Sequence, residues 1–244
     1  MNPFETLSLA QRLAGNDYPG RGIMLGLTPD GRRAAAAYFI MGRSANSRNR
    51  VFAEHDGAVF TEPFDASKVE DPSLIIYAAV RSFGPHLIVT NGDQTDTVDA
   101  GLKQGLSFEQ ALAARCFEPD APNFTPRISG LMTVENGKCS YKLSILKAGD
   151  EAGTVCNRFY YHYTPLPGVG HLIHTYQGDG NPLPTFRGEP VRVAVPDSVD
   201  ELTDTLWNAL NPDNRISLYV RFVDLATGEA ESRLVNKHRK GDAQ

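Results

Sequence analysis

The sequence predicts an α+β fold rich in strands, with sheets packed face to face and helices outside. Two observations carry this reading. Apolar runs of strand length, such as "RGIMLGL", "PRISGLMTV" and "RISLYVRFVDL", recur along most of the chain and are bounded by turn residues. Helical signatures, by contrast, are gathered in clusters and are not interleaved with the strands.

Taken in order, residues 4–14 suit a short amphipathic helix, with Asn2 near its cap and Gly15 past its end. "RGIMLGL", "TPDG" and "RRAAAAYFIM" then read as strand, turn and strand. "GAVFTEPF" is a short strand, and "SLIIYAAVRSF" and "HLIVT" are two paired strands split by Gly-Pro. Residues 96–104 and 107–117 read as helices, the second opened by a capping box of Ser107 and Gln110. Strands resume at "PRISGLMTV" and continue through "CSYKLSIL", "VCNRFYYHY" and "GHLIHTY". "SVDELTDTLWNAL" has a second box, Ser198 with Glu201, and leucines at helical spacing. "RISLYVRFVDL" closes the pattern before the polar tail "NKHRKGDAQ". No linker or internal repeat interrupts it. A single domain over 1–244 is expected, with 1–17 as an N-terminal helical extension and 236–244 as the tail.

With 244 residues the chain can bury a sizeable core, and its net charge of −5 argues against a protein that coats nucleic acid. No apolar run reaches the length of a membrane span, and the N-terminus lacks the basic region of a secretory signal. Cys116, Cys139 and Cys156 are far apart and form no C-x-x-C pair, as expected of reduced thiols in a cytoplasmic protein. The six histidines show no metal-ligand spacing. His171 and His174 lie three apart in a strand, on opposite faces.

Four polar stretches depart from ordinary turn chemistry. "DYPGRG" sets Arg21 between glycines that permit close backbone approach. "GRSANSRNR" follows an apolar strand with Arg43, Arg48 and Arg50, separated by small polar residues including Ser44 and Asn49 and without a neutralising acid. Guanidinium groups in this density suit an anion held bidentately. RNA is the weaker occupant, because the loop has no aromatic platform. "TNGDQTDT" leads from a strand into a helix and offers Asn91, Gly92 and Thr95 to a polar ligand, with Asp93 and Asp96 as acid–base candidates; the plainer reading is that Asp93 or Thr95 caps the helix over 96–104. In "CFEPDAPNFTPRISG", Glu118 and Asp120 end a helix where the dipole disfavours their charge, and Arg127 opens a strand.

These stretches, "GRG", "GRSANSRNRVF", "TNGDQTDT" and "NFTPRISG", together with "IHTYQGDGNPLPTF", resemble in kind and order the archaeal-type inosine monophosphate (IMP) cyclohydrolases over roughly residues 18–225. The resemblance implies a four-layer αββα sandwich like that of N-terminal nucleophile hydrolases. A chain beginning Met1-Asn2-Pro3 lacks that class's nucleophile. It also implies dehydrative ring closure of 5-formamidoimidazole-4-carboxamide ribonucleotide (FAICAR) to IMP, the last step of purine synthesis. A cytoplasmic homo-oligomer, dimer or tetramer, is expected, with no nucleic-acid or membrane partner.

That reaction requires no metal or organic cofactor. Its acid–base candidates are Glu118 and either Asp93 or Asp96, with Arg127, Asn91 or Tyr77 as donors. Arg43, Arg48 or Arg50 would meet the phosphate, with Arg21 sharing the task. Ser44, Asn49, Gly92, Thr95 and Thr125 complete the expected binding set. A non-catalytic nucleotide- or RNA-binding module using the same arginine loop is the alternative. For an amide hydrolase there is no nucleophile–base pair.

Overall fold

The computed structural model describes residues 4–69 and 76–238. The first predicted hairpin forms from β1 (Arg21–Leu27) and β2 (Arg33–Met41), antiparallel with Arg21 opposite Ile40. It becomes the centre of a six-stranded sheet ordered β11-β10-β1-β2-β12-β13. The partners come from far along the chain: β10 is Val169–His174, β11 Val191–Ala194, β12 Arg215–Asp224 and β13 Ala230–Asn236. A seven-stranded sheet runs in chain order from β3 to β9. Its strands are β3 (Val51–His55), β4 (Ala58–Glu62), β5 (Tyr77–Phe83), β6 (His86–Thr90), β7 (Arg127–Glu135), β8 (Lys138–Ala148) and β9 (Cys156–Tyr163). Neighbouring strands in both sheets are antiparallel.

Period-two alternation divides each sheet into two faces. Ile23 and Leu25 of β1 join Ala34, Ala36, Tyr38 and Ile40 of β2 in a cluster with Tyr77, Val89, Ile128 and Leu143 of the other sheet. The intervening residues, Met24, Ala35, Ala37 and Phe39, instead pack with Leu9 and Leu13 of α1 (Leu9–Leu13) and with Leu202 and Leu206 of α5 (Val199–Ala209). On the seven-stranded sheet, Ile88 and Leu131 meet Val98 of α3 (Gln94–Lys103) and Phe108 and Leu112 of α4 (Phe108–Leu112). His171 shares the face of Ile173 and His174 that of Leu172, as the strand period requires.

Several elements differ from expectation. The first helix is one short stretch capped by Ser8, whose hydroxyl accepts from Gln11 N–H while the Gln11 side chain returns the bond. Asn2 lies outside the described residues. Ser107 and Gln110 form their box, but Ser198 makes only the forward half of its own, accepting from Glu201 N–H. The helix expected over 107–117 stops at Leu112, because Arg158 Nη2 on β9 takes the Arg115 carbonyl at 2.7 Å and draws the chain away from the helical path. Glu118 and Asp120 are consequently loop residues, and the argument from a helix C-terminus does not apply to them. Strands β3, β11 and β13 were not foreseen. The chain expected to be a tail from residue 236 is still paired there: the Asn236 side chain accepts from Phe52 N–H and donates to Phe52 C=O, both at 2.9 Å. This bond stitches the six-stranded sheet to the edge strand of the other.

Candidate functional site

A cleft of about 450 Å³ opens where β1, the loop after β2, the 113–126 loop and the loop after β10 converge. Arg21 rises from the first residue of β1. Its backbone is fixed by Thr175, whose hydroxyl accepts from Arg21 N–H at 3.1 Å and whose N–H donates to Arg21 C=O at 2.9 Å. Inside the cleft Arg21 Nη2 donates to Glu118 Oε1 at 2.9 Å, both side chains being buried. Arg21 Nε is sealed from solvent and unpartnered. Burial pushes the Glu118 carboxyl above the usual carboxylate range, against the pull of Arg21 and then Arg127. Its other oxygen makes no bond within the described residues and opens on the cleft. The arrangement can therefore hold a neutral polar group or move a proton at a desolvated carboxyl.

Beside the pair, Thr125 Oγ1 is shared between Asp120 Oδ2 and the Tyr176 hydroxyl. Burial raises the Tyr176 phenol to about 12, so it is a donor at neutral pH. Tyr18 stacks on Tyr176 with ring centroids 5.9 Å apart. The glycines of "DYPGRG" serve packing and not a ligand. A Cβ on Gly20, at φ +79°, would lie 2.2 Å from Thr175 Oγ1, and one on Gly22 would strike the Phe39 ring.

The arginine loop divides by direction. Arg43, Ser44 and Arg50 line the cleft together with Asn46 and Ser47. Arg43 lies over the Tyr18 ring, 5.0 Å from its centroid, and pairs with Asp179. Arg50 is anchored by donating to Ser47 C=O at 2.8 Å and Met41 C=O at 3.1 Å. Arg48 points elsewhere, to Gly42 C=O and Asn214 Oδ1, each at 3.1 Å. Asn49 is buried against Asp65, exchanging bonds with its main chain. The loop folds into a one-turn helix, α2 (Ala45–Arg48), with Ser44 and Ser47 bonding one another's main chain.

The "TNGDQTDT" loop lies behind the cleft. Asn91 fastens β6 to β7, accepting from Ile128 N–H at 2.8 Å and donating to Pro126 C=O at 2.9 Å. Thr95 is buried against Thr90. Asp93 does not cap α3; it bridges Arg127 at 2.7 Å and Arg115 at 2.8 Å. Arg127 also donates to Gln94 Oε1 at 2.6 Å, and its guanidinium packs where a Gly92 Cβ would be, 2.4 Å from Nη1. Asp96 is exposed and paired with Arg81. Tyr77 is buried, its hydroxyl 2.9 Å from that of Tyr38. Among the described residues no group of three or more His, Cys, Asp or Glu side chains could hold a metal ion.

Residues 18–229 match the family described as IMP cyclohydrolase-like protein. The chain belongs to this family. It is 34% identical over 116 residues to the IMP cyclohydrolase of Methanopyrus kandleri, an alignment covering 46% of this chain and 57% of the relative. It is 29% identical over 128 residues to that of Methanococcus aeolicus, covering 51% and 62%. The alignments thus span 57% and 62% of these relatives' own lengths.

Of the residues expected at the site, Arg21, Arg43, Ser44, Arg50, Glu118 and Thr125 line one cleft. Arg48, Asn49, Tyr77, Asn91, Gly92, Asp93, Thr95, Asp96 and Arg127 do not line it. Cleft residues missed from sequence include Tyr18, Asn123 and Tyr176, while Asp120 was singled out beside Glu118 without a role at the site. Asp120 and Asn123 lie in the same short stretch as Glu118. Tyr176 lies in "IHTYQGDGNPLPTF", so the motif was recognised while the residue within it was not.

Proposed function

We propose that this chain is an IMP cyclohydrolase that closes FAICAR to IMP. The observation that carries the reading is the buried Arg21–Glu118 pair beneath a rim of Arg43, Ser44 and Arg50. The rim suits the phosphate and ribose, and the pair suits the reacting groups. The carboxamide nitrogen attacks the formyl carbon, one N–H proton leaves, and the formyl oxygen becomes a hydroxyl. The formamido N–H proton and that hydroxyl then depart as water, leaving a C=N bond from the former formyl carbon to the formamido nitrogen and the amide N–H in the ring. In this scheme Glu118 takes the nitrogen proton through its open oxygen and returns it to the departing oxygen. Arg21 donates to the oxygen on which charge develops through the part of its guanidinium that lines the cleft. A placed acid–base group contributes about 10²–10⁴-fold and one such donor about 10²–10³-fold. Because both reacting groups belong to one molecule, holding the productive rotamer supplies much of the remainder.

Asp93 is better suited to holding Arg127, which biases Glu118 from behind, than to proton transfer, because two arginines occupy its oxygens. The architecture is read as a four-layer αββα sandwich akin to N-terminal nucleophile hydrolases. Its support is one cluster shared between the sheets and helices on each outer face. A cytosolic homo-oligomer belongs to the same reading. The test is direct: purified protein incubated with FAICAR is followed for IMP by absorbance. Binding of IMP without turnover of FAICAR would replace this reading with that of a non-catalytic nucleotide module.

A further inference from the structure

A second pocket, of about 380 Å³, lies between the end of α1 with the turn after it and the end of β10 with the loop after that strand, and shares no lining residue with the first cleft. Its wall includes Arg12, Asn16, His174, Gln177 and Arg187. Neither guanidinium forms an ion pair or hydrogen bond among the described residues. Arg12 Nε is moreover sealed from solvent without a partner, an arrangement that leaves a desolvated charged donor unsatisfied. Arg12 is also the charged group that acts on His174.

His174 supplies a different kind of contact. Its Nδ1 is 2.8 Å from Tyr176 C=O, and a carbonyl can only accept, so Nδ1 carries the proton. Nε2 is therefore a lone-pair acceptor. It makes no bond within the described residues and is not sealed, so it opens on the pocket. Burial keeps the ring neutral, with its pKa lowered to about 4.

We propose that this pocket is an anion site suited to inorganic phosphate. Two guanidinium groups meet the charged oxygens, while the Nε2 lone pair accepts the remaining P–O–H. Inorganic phosphate keeps an O–H at neutral pH. Sulfate has none, and a phosphomonoester, with a second pKa of about 6, has largely lost its own. Acceptor and donors together thus select a protonated oxyanion over an unprotonated one. The site would report to the first cleft through Tyr176, which lines that cleft by its ring and holds His174 by its carbonyl.

The proposal does not depend on the chemistry assigned to the first cleft. It is tested by nitrogen-detected NMR of the histidine rings, with His174→Gln assigning the resonance. Inorganic phosphate is expected to shift the His174 Nε2 signal saturably, whereas sulfate at equal ionic strength leaves it in place. Arg12→Ala and Arg187→Ala should each weaken the phosphate response by about 10–150-fold, the effect of one charged hydrogen bond. Arg187 is exposed, so its variant keeps the test decisive if Arg12→Ala does not fold. A signal unmoved by phosphate, an equal response to sulfate, or unchanged titrations in a folded arginine variant would each overturn the proposal.

Discussion

Replacing Glu118 separates catalysis from structure, because two substitutions remove different parts of the same contact. In the parent protein Arg21 Nη2 is 2.9 Å from Glu118 Oε1, and both side chains are nearly out of solvent, at 11% and 7% exposure. Glu118→Gln retains an oxygen at that position and loses the charge and the proton-transfer group. Glu118→Ala loses all three and leaves a buried guanidinium uncompensated. Breaking a buried pair in that way costs about 3–5 kcal/mol, and at about 2–4 °C per kcal/mol for a chain of this size the melting temperature should fall by roughly 6–20 °C. Glu118→Gln should melt closer to the parent, with IMP affinity retained, yet lower kcat by about 10²–10⁴-fold. The assays are differential scanning fluorimetry, calorimetric titration with IMP, and turnover of FAICAR. Near-parental kcat in Glu118→Gln would refute the acid–base role, and a drop in melting temperature alone would make Glu118 a structural partner of Arg21.

Arg43→Ala and Arg50→Ala should each weaken IMP binding by about 10–150-fold, whereas Arg48→Ala, which faces Asn214, should leave it unchanged; calorimetry distinguishes these outcomes. Gly92→Ala would drive a methyl group into Arg127 and should cost about 1–3 kcal/mol, read from urea melts. His174 falls from 6.5 in the unfolded chain to about 4 in the folded one, so the unfolded state binds the extra proton between those values. Stability from this group is complete above 6.5 and is lost as pH falls towards 4, by about 3 kcal/mol, and His174→Gln should remove that share of the acid slope in denaturant titrations. Exhaustive chelation should leave FAICAR turnover intact; its loss, with recovery on adding one divalent metal, would contradict a scheme that rests on side chains alone.

The strands were legible where burial was continuous or strictly alternating, as in β1, β2, β7 and β12. They were not legible where the signal is non-local. Strand β13 reads as polar because it is an edge strand and only partly buried, and the Asn236 contacts with Phe52 have no local signature. Helix α4 was overextended because a side chain 43 residues later diverts its end. At the site, composition marked the right loops but not the direction of each side chain. Arg43 and Arg48 stand in one short run, and only the turn of α2 sends one inward and the other towards Asn214. Asp93 looked like an acid–base group because Arg115 and Arg127, which occupy it, lie beyond the motif.

The Asn236 amide has a consequence for behaviour in concentrated solution. An unprotected outer strand offers its main-chain N–H and C=O to any passing extended segment and so seeds aggregation. On β3 both groups of Phe52 are already taken by one side chain that imitates a peptide unit. Asn236→Ala would free them together, turning a closed seam into a sticky border while leaving the cleft untouched.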